Sequence, residues 1–168
     1  MLWQKDKIPS ANINLLKSLI GQKIIQVKRQ IFKPDCDLID FEQMADGSTE
    51  LLFNNDQKIT FFALAEIWSV GISEQTIISN NDSYFIKDVT NNLFWQQRAN
   101  QRITQFIILQ SLYASEDSPD EFGLKIEFEN NTQLVFEYLS EENCLDTIRI
   151  INNYDATPYK KTVIQYKK

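Results

Sequence analysis

Apolar and polar residues alternate over two short stretches of this chain, Leu51 to Phe61 (LLFNNDQKITF) and Ile126 to Phe136 (IEFENNTQLVF), which lie 75 positions apart. In each, a Phe stands on either side of an Asn-rich turn, Phe53 with Phe61 and Phe128 with Phe136, and Ile59 or Leu134 sits two before the second Phe. Period-two alternation around an Asn turn predicts a two-stranded hairpin in both places.

The pattern leading into each hairpin also repeats. Ala11, Ile13, Leu15, Leu16, Leu19 and Ile20 recur at helical spacing, with Ser10 as the expected N-cap and Gly21 as the terminating residue. Gln22 to Phe32 then predicts a strand with Lys23, Lys28 and Arg29 on its solvent side. In the second half, Thr90 is the expected cap of a helix holding Leu93, Phe94, Trp95 and Ala99, and Asn100 takes the place of Gly21. Gln101-Arg102-Ile103 follows as Gln22-Lys23-Ile24 did. Between first strand and hairpin, each half places an acidic, proline-containing loop: Pro34, Asp35, Asp37, Asp40, Glu42 and Asp46 in one, Glu116, Asp117, Pro119, Asp120 and Glu121 in the other.

Beyond the first hairpin its second strand is expected to run toward Leu64 and Trp68. A further strand is expected over Glu74 to Ser79, echoed by Thr147 to Arg149, and a short one over Tyr84 to Ile86. Five Asn-Asn pairs punctuate these segments as turns, since Asn tolerates left-handed backbone. Pro158 to Lys168, with lysines around Val163, Ile164 and Tyr166, reads as a lysine-guarded edge strand. The predicted fold is therefore α+β: two similar halves, 10–88 and 89–168, each a helix plus an antiparallel β-meander of about four strands, packed as one domain.

Composition narrows the function. At 168 residues, 43% hydrophobic and 24% charged, the chain can bury one sizeable core. It has no run of about 18 apolar residues and no leader pattern, so a cytosolic location is expected. Its net charge of -6 disfavours phosphate backbones and suits a basic partner. With no histidine, no imidazole base and no His-containing triad or zinc site can form, and Cys36 and Cys144 read as structural or incidental thiols. Four glycines form neither a dinucleotide fingerprint nor a phosphate loop. The 33–47 loop lacks the D-x-D-x-D-G register of a calcium site. No cofactor, metal or catalytic residue is expected, and the protein reads as a non-enzyme.

The loop acids are then either solvated or a binding surface. Phe53, Ile59, Phe61, Leu64, Phe128 and Phe136 read as core, as does Trp95, while Trp68 suits either a core or an interface anchor.

In whole-chain character this small, acidic, cysteine-poor, motif-free sequence, rich in Asn, Ile and Lys, resembles the immunity proteins of bacterial toxin systems, in particular those of contact-dependent growth inhibition. The helix-plus-meander layout is also similar to Whirly-type single-strand-binding domains, although their lysine-rich surface motif is missing. The first resemblance implies a cytosolic binding protein, monomeric or dimeric, that neutralises a cognate toxin, such as a basic nuclease domain. Asp35, Asp37, Asp40, Glu42, Glu116, Asp117, Asp120 and Glu121 would pair with its Lys and Arg, and Trp68 would anchor the contact. The second implies a nucleic-acid module using Lys23, Lys28, Arg29, Arg98 and Arg102. A ligand-binding domain would instead need a concave apolar pocket.

Overall fold

Both predicted hairpins form, and each lies inside a five-stranded antiparallel sheet. The computed structural model describes residues 2–33, 47–75, 78–139, 147–152 and 159–165. Asp35, Cys36, Asp37, Asp40, Glu42, Cys144 and the side chain of Trp3 lie outside the described residues.

The first sheet contains β1 (Ile24–Phe32), β2 (Thr49–Phe53), β3 (Lys58–Leu64), β4 (Ser69–Ser73) and β5 (Tyr84–Asp88), in the order β4-β3-β2-β1-β5. The second contains β6 (Ile103–Ser111), β7 (Gly123–Phe128), β8 (Gln133–Leu139), β9 (Thr147–Ile151) and β10 (Tyr159–Ile164), in the order β10-β6-β7-β8-β9. Each is a four-stranded meander whose fifth strand returns beside the first. A short helix precedes each sheet, α1 (Ile13–Leu19) and α2 (Leu93–Gln96), so the fold is mixed but mostly β.

The likeness of the sheets extends to single hydrogen bonds. In the hairpins, Phe53 N–H donates to Gln57 O at 2.9 Å and Phe128 N–H to Thr132 O at 3.0 Å. The turns pass through left-handed residues at Asp56 (φ 66°) and Asn131 (φ 64°). Asn55 and Asn130 side chains accept from the N–H two residues on, which is the local bonding that suits Asn to turns. Each sheet also carries one bulge at the start of its first strand. Register shifts between Ile24 and Gln26 against β2, and between Ile103 and Gln105 against β7.

The sheets meet at those same strand starts. Lys23 and Arg102 form an antiparallel bridge. Around it, Gly21 N–H donates to Ile103 O at 2.8 Å while Asn100 N–H donates to Ile24 O at 2.9 Å. These are equivalent positions 79 residues apart exchanging the same bond. The geometry needs a left-handed residue at each turn, and Gly21 (φ 85°) and Asn100 (φ 62°) supply it. One buried cluster then draws Val27, Leu51, Phe61, Phe106, Leu124, Phe136 and Trp95 from both sheets and α2.

Four expectations are corrected. Arg29 is fully buried, not on the solvent side: it stands two residues from both Val27 and Ile31 and shares their buried face, while the bulge accounts for the exposure of Ile25. The strand after β3 is Ser69–Ser73, and 78–79 are not in a strand. Gly71 hid it from the alternation pattern, since a Cβ there would lie 2.6 Å from the Phe62 ring. Ser10 caps nothing; it lies in a 3-10 stretch, Pro9–Asn12, ahead of α1. The second helix is one turn long and capped by Asn92, whose side chain accepts from Phe94 N–H, while Thr90 Oγ1 accepts from Val27 N–H.

Candidate interaction surface

β3 leaves the first sheet through a 3-10 turn, Ala65–Ile67, and re-enters it at Ser69. Between them Trp68 adopts φ 49° and ψ 41° with 56% of its surface exposed. A bulky residue in the left-handed region costs roughly 1–2 kcal/mol, so the surroundings must hold it there. They do. Ile67 packs with Ile8, Leu64 and Phe62. The buried Ser69 hydroxyl donates to Ile67 O at 2.9 Å and accepts from Glu121 N–H at 2.9 Å, and Val70 N–H donates to Glu121 O at 3.0 Å.

Glu121 belongs to the acidic loop between β6 and β7, so the Trp68 corner of one sheet is fastened to the acidic loop of the other. The sequence placed these 53 positions apart; the structure brings them together. The register Arg29–Thr49–Phe61–Ile72 across the first sheet also puts this corner at the end from which the 33–47 loop departs.

The loop is closed by its own bonds. Ser111 N–H donates to Asp120 O at 3.0 Å, Gln110 Nε2 to Pro119 O at 2.9 Å, and Ser115 N–H to Ser118 O at 2.9 Å. The N-terminal segment braces it, with Lys5 Nζ donating to Glu116 O and Ser10 N–H to Glu121 Oε2, the latter at 2.9 Å.

Of the loop acids, Glu116 and Asp117 face solvent. Asp120 is half-buried with φ 43°, and burial raises its pKa against a hydrogen bond from Ser111. Glu121 is 3% exposed, and burial likewise raises its pKa against its bonds to Ser10. Its carboxylate therefore holds the N-terminal segment in place and does not face solvent. Sequence reasoning missed three further exposed residues: Tyr113 at 94% and Leu112 at 47% in the acidic loop, and Glu66 two residues before Trp68. Their signal was a pair of apolar residues, Leu112-Tyr113, stranded in a polar loop.

Two of the five cations named for nucleic acid do not face solvent. Arg29 and Arg98 are buried. Arg98 donates from Nε to Gln133 O at 2.9 Å and from Nη2 to Asn152 Oδ1 at 2.6 Å, and its guanidinium lies 3.7 Å from the Phe94 ring centroid. Burial lowers its pKa to about 10. Arg102 is tied to Gly21 O and Glu129. A shallow depression of about 290 Å³ beside the second hairpin is lined by Thr104, Glu127, Phe128, Glu129, Asn131, Thr132 and Gln133. Glu127 there is engaged by Lys125 and Gln105, and Glu129 by Arg102. Among the described residues no three carboxylates or thiols are grouped to hold a metal ion, and no helix is long and apolar enough to cross a membrane. Comparison with protein-family models, with curated proteins and with solved structures finds no match to this chain.

Proposed function

We propose that this protein is a non-enzymatic cytosolic binding protein, an immunity protein that neutralises a cognate bacterial toxin domain by docking an acidic, aromatic-bearing surface on it. The observation that carries the reading is the bond from Glu121 N–H to Ser69 Oγ, which ties the loop bearing the solvent-facing Glu116 and Asp117 to the corner that exposes Trp68. Carboxylates on this loop would speed encounter with a basic partner such as a nuclease domain, and a large aromatic on the corner to which the loop is tied would slow release. Loop closure before binding spares much of the ordering cost that a mobile loop would incur. The acids of the 33–47 loop belong to the same proposal by sequence equivalence. The shared strand order, matching bulges and matching turns favour a duplication of one helix-plus-meander unit.

A pull-down with the product of the adjacent upstream gene, at low and high salt, tests the reading. A stoichiometric complex that weakens with salt and suppresses the neighbour's toxicity is expected. No complex at either salt concentration sinks it.

A further inference from the structure

We infer that Tyr113, with Leu112, is a plug that seats in an apolar socket of a basic protein partner, the socket being rimmed by Lys or Arg; this rests on the docking reading above.

Tyr113 is 94% exposed and Leu112 47%, at the tip of a loop that is otherwise polar. An aromatic side chain this exposed gains little burial from the fold that carries it. Tyr113 projects from a backbone that local bonds hold closed. Its own N–H donates to Ser111 Oγ at 3.2 Å, Ala114 N–H donates to Ser111 O at 3.2 Å, and Ser118 N–H donates to Ser115 Oγ at 3.1 Å. The turn is thus spelled by serines, and Tyr113 adds an aromatic projection that turn geometry does not require.

Charge selects the occupant. Glu116 and Asp117 face solvent three and four residues beyond Tyr113, and the whole chain carries net charge -6. An anionic lipid surface would meet the carboxylates nearest the ring, while the cations closest to the tip, Lys5 and the exposed Lys160 and Lys161 of β10, stand against its base and the adjoining strand. A second copy meeting this one about a two-fold axis would set the two pairs of carboxylates against each other. A basic protein is drawn by the carboxylates and can cover the ring. Tyrosine suits that role because its ring enters a socket while its hydroxyl stays at the wetter rim, and because it loses little rotamer freedom on binding.

The two elements predict separable kinetics, since rim charges act on association and buried anchors on dissociation. Binding of the upstream gene product would be followed by surface-captured kinetics for the wild type, Tyr113→Ala, Tyr113→Phe and the pair Glu116→Lys with Asp117→Lys. Tyr113→Ala should weaken binding by at least about 30-fold, nearly all in dissociation rate, which is the scale of an anchor residue. Tyr113→Phe, keeping the ring, should stay within about 5-fold of wild type. The charge reversals should slow association and flatten its salt dependence with little change in dissociation. Thermal unfolding of Tyr113→Ala should match wild type, since the side chain supports nothing in the fold.

If the wild-type complex forms and the charge reversals slow it, but Tyr113→Ala dissociates at the wild-type rate, the plug is wrong and the docking reading survives. If Tyr113→Ala instead abolishes self-association seen by sedimentation, the tip belongs to a second copy and the inference is overturned. Failure of the wild type to bind at any salt removes both.

Discussion

Phe61 and Phe136 stack at 4.2 Å between ring centroids with an interplanar angle of 12°. Both are fully buried, each is the closing Phe of its hairpin, and they come from different sheets. The residues whose repetition first suggested two like halves thus meet each other at the centre of the core. Hairpin alternation puts each ring on the inner face, and face-to-face packing of the sheets does the rest.

Removing either ring leaves a cavity that the opposing sheet cannot close. Phe61→Ala and Phe136→Ala should each cost roughly 3–5 kcal/mol in urea unfolding. A double-mutant cycle on the pair should return a coupling of about 0.5–1.5 kcal/mol beyond buried area. Strictly additive losses would mean that the two rings pack independently.

Glu121 gives a pH prediction of definite sign. Burial raises its pKa in the folded state, so the folded protein holds the proton more tightly than the unfolded chain. The stability this contributes is full below the ordinary carboxyl pKa and is lost as pH rises through the folded value. Glu121→Gln keeps an acceptor for Ser10 N–H and cannot ionise. Urea unfolding between about pH 4 and pH 7.5 should therefore show the variant losing less stability than wild type as pH rises. A variant that is less stable at neutral pH, with an unchanged slope, would mean that the ionised carboxylate itself is what the junction needs.

Trp68 separates stability from binding. Glycine at its left-handed backbone relieves strain but enlarges the conformational freedom of the unfolded chain, two effects of similar size and opposite sign. Trp68→Gly should therefore stay within about 1 kcal/mol of wild-type stability. If the exposed indole is an anchor, the same variant should release the toxin partner at least about 10-fold faster. A large loss of stability would show that Trp68 supports the fold and is not held out for a partner.

Much of this architecture can be read before any coordinates are seen, and the exceptions have common causes. The hairpins, the closing Phe residues, the terminating Gly21 and Asn100 and the edge strand β10 follow from local rules of turn chemistry and alternation. Arg29 was misplaced because its charge argued for solvent against its parity with Val27 and Ile31, whereas Ile25 was misplaced because nothing local marks a bulge. β4 was missed because its residues are buried on both faces and include Gly71 and two serines, so that neither periodicity nor strand propensity shows. Of the candidate surface, the acids were legible as composition. Which of them is buried depends on Ser10 and Ser69, distant in sequence, and so Glu121 could not be told from Glu116. Tyr113 was passed over because a single exposed aromatic has no periodicity at all.

The reciprocal bonds at Lys23 and Arg102 join two like units that a homodimer would have to assemble from separate chains. Here the joint is intramolecular, so mass action does not govern it, and dilution cannot separate the halves. Covalent continuity also frees the units from obeying one sequence. Arg29 and Ile108 occupy equivalent buried positions, one cationic and one apolar. A chain built this way can devote one half to a surface that the other need not repeat.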